Sequence, residues 1–212
     1  MTDTVHKVTA FITRDLKDHR EILAYQHPTA GIQLPAGTVE LGEDIEVAVI
    51  REAQEETGIQ TFHLQSHLGG IENELNDGEC IITKTIQARL EPNEKSMPYE
   101  RAFGRGATIQ FHESTQGWSH VSYNEYNQIP NPQFILWRIG GWVPDDAISH
   151  DKPRHFYHLT TPEETPERWS LKADGDHIYA PFWTPLSPKP QLTSPQSGWL
   201  EAVYNQLIQV TS

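Results

Sequence analysis

One cysteine, Cys80, stands in the whole chain. It excludes an internal disulfide and any zinc site built from cysteines, and it suits a reducing compartment, so a cytoplasmic location is the expectation. Positive charge is scarce too. Sixteen Lys and Arg face 29 Asp and Glu, for a formal net charge of −13. No basic run or stripe is present, so no nucleic-acid polymer is expected as a partner. No apolar stretch approaches the roughly 20 residues of a membrane span, and no membrane partner is expected. The opening residues, MTDTVHKVTAFITRD, lack the basic, apolar and small-residue regions of a signal peptide. Repeats of fixed period and low-complexity tracts are also missing. The acidity still permits a small phosphorylated partner, provided a divalent cation stands between the acids and the phosphates.

The elements follow from patterning. HKVTAFITRD and REILAYQHP alternate like a strand pair joined by the polar LKDH turn. GIQLPAGTVELGED, punctuated by Gly31, Pro35, Gly37 and Gly42, reads as a loop. From about Asp44 the period becomes helical: Ile45, Ala48, Val49 and Ala53 form an apolar face, and Gly58 stops the helix. ECIITKTIQARL reads as a strand and EPNEKSMPYE as a polar linker. Between about 97 and 150 the runs ATIQFHE, GWSHVSYNEY and QFILWRIGGWVP are short and β-like, without helical period. RHFYHLTT and HIYAPFWTPL read as further strands, with the proline-rich TPEETPERWSLKADGD between them. The C-terminal SGWLEAVYNQLIQV is helical, with Leu200, Val203, Tyr204, Leu207 and Ile208 on one face and Ser197 as the expected N-cap.

One stretch of that first helix breaks two rules. In REAQEETG, residues 51–58, Glu52, Glu55 and Glu56 share a face at i, i+3 and i+4. Like charges so placed cost about 0.2–0.5 kcal/mol per pair, and the helix C-terminus disfavours anions. A bound cation resolves both conflicts. Hard Mg²⁺ takes carboxylate oxygens, keeps several waters and binds substrate phosphates. Arg51 can pin a carboxylate by a forked hydrogen bond, and Glu43 sits at the helix mouth, where an acid is favoured.

Residues 37–59, GTVELGEDIEVAVIREAQEETGI, resemble the signature of the Nudix hydrolases. Gly37, Glu43, Arg51, Glu52, Glu55, Glu56 and Gly58 fill its fixed positions, with Ala53 and Ile59 in the apolar ones. The resemblance implies an α/β fold, a Nudix-type α/β/α sandwich with a mixed sheet. It implies a pyrophosphohydrolase cutting a phosphoanhydride in a nucleoside diphosphate linked to another moiety, or in a nucleoside triphosphate, with Mg²⁺ or Mn²⁺. Glu52, Glu55, Glu56 and the Ala36 carbonyl would hold metal, and Arg51 would orient Glu52. Glu52, Glu55 and Arg51 are thus the candidate catalytic residues, while Gly37, Glu43 and Gly58 support them. The water's proton acceptor stays open among Glu52, Glu55, Glu72, Glu74 and Glu113. No marker of a particular substrate appears in QSHLGGIENELND, downstream of the signature. Family members are often dimers, which leaves a homodimer open. The alternative reading is a non-catalytic nucleotide sensor on the same fold.

GWSHVSY followed by GWVPDDAI resembles the strand pattern of an SH3-like barrel. It implies a small all-β insertion at 97–150 in a Nudix domain of residues 1–96 and 151–212. Three other groups attract notice. His155 and His158 are expected on opposite faces of a strand. Tyr179, Phe182 and Trp183 could stack on a base but are expected in the core, and Arg14, Lys17 and Arg20 are expected as surface charge.

Overall fold

The computed structural model describes residues 4–129, 131–173 and 177–209. In chain order the strands begin with β1 (Lys7–Asp15), β2 (Arg20–His27), β3 (Gly31–Gln33) and β4 (Ala36–Thr38). Helix α1 (Ile45–Thr57) and β5 (His63–Ile71) follow. Next come β6 (Glu79–Ile82), β7 (Ile86–Arg89), β8 (Pro98–Phe103) and β9 (Thr108–Thr115). Then come β10 (Trp118–Tyr126), β11 (Ile135–Pro144), a 3₁₀ turn (Asp145–Ala147) and β12 (Ile148–Ser149). The chain closes with β13 (Arg154–Thr160), β14 (Leu171–Ala173), β15 (His177–Pro185) and α2 (Gln196–Leu207).

These elements form two compact units. The α/β unit holds residues 7–70, 128–129 and the described residues from 155 onward. Its sheet runs β14-β15-β2-β1-β13-β5, with β3 beside β2 and β4 beside β1. β1 is buried on both faces, as a central strand must be. Its even positions, Val8, Ala10 and Ile12, pack with Leu23, Tyr157, Leu159 and Trp183 against Ala48, Val49 and Ala53 of α1. The odd side carries Phe11, whose ring meets Phe156 edge-on at 5.5 Å, and Phe156 in turn meets Trp199 of α2. Helices therefore cover both faces of the sheet. Phe11 faces Phe156 and Thr13 faces His158, so partners advance together and β1 runs parallel to β13. β1 and β2 are antiparallel, which makes the sheet mixed.

Three local readings change here. The 31–44 segment is not all loop, because β3 and β4 add backbone pairs to β2 and β1. β5 carries no alternation visible in the sequence: HLQSHLGGI is largely exposed at a sheet edge. Ser197 lies inside α2 rather than capping it; the cap position is Pro195, without a side-chain bond. The neighbouring Gln196 instead turns its Oε1 to the Leu34 N–H.

The β unit comprises residues 71–127 and 131–154 with residues 4–6. Its sheet runs β12-β6-β9-β10-β11-β7-β8. The unit starts well before the expected 97, and the core explains why. β6 lies between β9 and β12, and Cys80, Ile82 and Ala88 pack with Ile109, Val121, Ile139 and Val143. ECIITKTIQARL is thus two strands, because the chain turns at Thr83–Thr85, and the PYE that ends the supposed linker opens β8, which pairs with β7. Residues 128–129 belong instead to the α/β unit, where the Ile129 N–H donates to the Thr29 carbonyl at 2.8 Å. Within the β unit, Glu74 is buried against Arg154 at 2.6 Å and Lys152 at 3.4 Å. Among the described residues, no helix is long and apolar enough to cross a membrane.

Candidate active site

Helix α1 and strand β4 build the site together. Asp44 caps the helix, its side chain accepting the Glu46 N–H. Gly58 ends it in the left-handed conformation, φ 77°, with its N–H on the Gln54 carbonyl. β4 is fixed on β1 through Lys7–Thr38, Val8–Gly37 and Thr9–Ala36. The apolar face of α1 packs on the same sheet, so its acidic face rises beside β4.

The carboxylates are each held differently. Glu52 accepts the Thr38 N–H at 3.1 Å and Arg51 Nη1 at 2.9 Å. Its carboxylate lies against Gly37, where a β-carbon would sit 1.9 Å from Glu52 Cδ. Any larger residue would have to displace the Glu52 carboxylate. Glu56 accepts the Ala36 N–H at 2.8 Å on one oxygen and the Tyr25 hydroxyl at 3.1 Å on the other. Glu55 is 59% exposed, and one of its oxygens accepts from Arg51 Nη1 at 3.2 Å.

Arg51 is the hub. Its Nε and Nη2 fork onto the two oxygens of Glu43 at 2.8 and 2.9 Å, and Nη2 also reaches the Thr38 carbonyl at 3.0 Å. The planar guanidinium suits this many-pronged task, whereas a lysine ammonium does not. Glu43 further accepts the Glu40 N–H at 2.8 Å. Glu43 therefore fixes Arg51, and Arg51 fixes Glu52 and Glu55.

The electrostatics follow. The Arg51 hydrogen bonds hold the Glu43 carboxyl below its ordinary value. Burial lifts Glu52 above its own, against the pull of Arg51 and with a further push from the Glu55 charge. Hydrogen bonding to Glu43, with Glu52 next, raises Arg51. Three carboxylates, those of Glu43, Glu52 and Glu55, thus share one guanidinium, and Glu56 stands beside them on Tyr25 and the Ala36 N–H. Hard carboxylate oxygens so clustered fit Mg²⁺ or Mn²⁺. Among the described residues, no three acidic, His or Cys groups converge tightly enough to enclose an ion by themselves.

A family model described as NUDIX domain matches residues 5–94. Within this span the chain carries a Nudix domain. A search among curated proteins finds no match. The Nudix superfamily is one of pyrophosphohydrolases, acting on small nucleotide derivatives and generally using divalent metals. The matched span ends at 94, while β13, β15 and α2 of the same α/β unit lie beyond it.

All seven signature residues lie in the α/β unit, and Gly37 contacts Glu52 as the spacing alone could not reveal. Glu72, Glu74 and Glu113 lie in the β unit. Glu74 is committed to its ion pairs with Arg154 and Lys152. His158 bonds Thr13 at 2.7 Å, whereas His155 neighbours His67 on the other face of β13. Trp183 and Tyr179 are buried, and Phe182 carries the Arg168 guanidinium 4.9 Å over its ring. Arg14 pairs with Glu21 and Glu167, and Arg20 pairs with Asp15, leaving neither as a phosphate ligand here. Tyr25 escaped the sequence reading. Its strand alternation places it on the Leu23 face, but only the strand pairing shows that α1 covers that face.

Proposed function

We propose that this protein is a metal-dependent pyrophosphohydrolase. It cleaves a phosphoanhydride in a nucleoside diphosphate linked to another moiety, or in a nucleoside triphosphate, by attack of water on phosphorus. The observation that carries the reading is the set of carboxylates on α1, each anchored by hydrogen bonds: Glu52 and Glu55 share Arg51, and Glu56 takes the Ala36 N–H. Glu52, Glu55 and Glu56, with the Ala36 carbonyl, would hold Mg²⁺ or Mn²⁺.

When bound, the ion would neutralise phosphate charge and acidify the attacking water. The chain's own residues supply position. Glu56 is tied to β4 and β2, and Glu52 to β4 and Arg51, so neither must be ordered during the reaction. Glu55 faces solvent with one oxygen beyond the reach of Arg51. It is the carboxylate best placed to accept the proton of the attacking water. The acidic surface repels free phosphates, which makes the substrate's own counter-cation part of recognition.

We further propose that the β unit is an SH3-like barrel within the Nudix chain. Supporting this are the run β12-β6-β9-β10-β11 and the 3₁₀ turn at Asp145–Ala147 between β11 and β12. Trp118 opens β10 and Pro144 closes β11, the positions that suggested the likeness.

The test is monophosphate or phosphate release from a panel of nucleoside diphosphate derivatives and triphosphates, with Mg²⁺ and then Mn²⁺. Cleavage of at least one substrate, abolished by chelator and by Glu55→Gln, is the expected result. No cleavage across the panel, with nucleotide binding retained, would favour the sensor over the enzyme.

A further inference from the structure

Glu56 is held by residues outside the signature. Tyr25, on β2, is 2% exposed, and its Oη lies 3.1 Å from Glu56 Oε1. Gln33 Oε1 is also 3.1 Å from that hydroxyl. The phenol has one proton to give, and the charged carboxylate is the stronger acceptor. The Ala36 N–H takes the other oxygen of Glu56, so both of its oxygens are oriented.

Tyr25 is itself braced. Its ring stacks on Tyr179 of β15, with centroids 4.7 Å apart and planes 11° from parallel. The β2–β15 register sets Tyr25 opposite Pro181, which makes Tyr179 its diagonal neighbour on one face. Tyr179 meets the His27 ring at 5.0 Å. His27 is pinned in turn, its Nδ1 accepting the Thr29 and Ala30 N–H groups at 3.1 and 3.0 Å. A packed row of rings therefore ends on the Glu56 carboxylate.

We propose that Tyr25, braced by Tyr179, is a positioning residue that orients Glu56 to receive the divalent cation. The assignment rests on the metal-dependent reading above. A glutamate already fixed in its binding rotamer loses less freedom when the cation arrives. Supporting partners of metal ligands commonly govern affinity by about 10–100-fold.

The test is Mn²⁺ titration of the metal-free protein by calorimetry, for wild type, Tyr25→Phe, Tyr179→Phe, Tyr179→Leu and Glu56→Gln. Tyr25→Phe should weaken Mn²⁺ binding about tenfold. Tyr179→Phe keeps the stack and should bind as wild type, whereas Tyr179→Leu should weaken binding like Tyr25→Phe. In turnover, the metal concentration for half-maximal rate should rise in step, with substrate KM unchanged and kcat restored at saturating metal. Wild-type Mn²⁺ affinity in Tyr25→Phe would overturn the assignment. So would a loss shared equally by Tyr179→Phe, because the stack would then not be the brace. Glu56→Gln binding as tightly as wild type would instead overturn the metal reading on which the assignment stands.

Discussion

The carboxylate of Glu52 lies in the space that a side chain on Gly37 would need. A β-carbon there would sit 1.9 Å from Glu52 Cδ and 2.1 Å from each carboxylate oxygen. Gly37→Ala must therefore displace Glu52 from the Thr38 N–H and from Arg51. Overpacking of this kind costs about 1–3 kcal/mol. Combining it with Glu52→Asp, one methylene shorter, should recover much of the melting temperature without recovering activity. Equal stability losses in the single and double variants would show that the two residues do not compete for space.

Arg51 and Glu43 offer a second test, because their roles differ in order. Arg51 touches Glu43, Glu52, Glu55 and the Thr38 carbonyl, and lysine cannot reproduce the fork. Arg51→Lys should lower kcat about 10–100-fold, the scale of a small misplacement of reacting groups. Glu43→Gln keeps acceptor and shape on one side of the fork and should cost less. Steady-state kinetics on both variants would settle the order, and a larger loss for Glu43→Gln would reverse the hierarchy drawn here.

His158 makes a prediction about pH. Burial, chiefly, and the nearby Arg20 depress its pKa, while Asp15 pulls the other way; its Nε2 bonds Thr13 Oγ1 at 2.7 Å. A depressed value means the unfolded chain binds the proton more readily than the folded one. The stability that His158 contributes is therefore full above the ordinary histidine value of about 6.5 and is lost as pH falls below it. Chemical denaturation at stepped pH should show a shallower decline below pH about 6.5 in His158→Asn than in wild type. An identical or steeper decline would contradict the sign.

How much of this was legible before folding depends on where the signal lay. Helix α1 announced itself by the spacing of Ala48, Val49 and Ala53 and by Gly58, since these obey helical period and cap chemistry. β1 and β2 did so because apolar runs flank a polar turn. β5 did not, because an exposed edge strand has no buried face to pattern, and two glycines weaken its propensity. The start of the β unit was hidden for another reason: β6 owes its place to pairing with β9 and β12, contacts that no local pattern reports. At the site, the acids were visible as a conflict of like charges. Their restraints were not. Tyr25 reaches Glu56 across 31 positions of sequence, and the pairing of Glu43 with Arg51 was one of several the residues allowed.

The central claim is that the crowded glutamates are a cation site, and the most direct measurement is melting temperature with and without Mn²⁺. It should be made at neutral pH on wild type, Glu52→Gln and Glu56→Gln. Ligand at a hundred times its dissociation constant stabilises by about 2.7 kcal/mol, which for a chain of this size is about 5–10 °C. Wild type should gain that shift, and Glu56→Gln should lose it. Glu52→Gln without metal should melt no lower than wild type, because burial makes the charged form of Glu52 the costly one. An equal Mn²⁺ shift in all three proteins, or none in wild type, would contradict the claim and leave the acids as a solvated helix face.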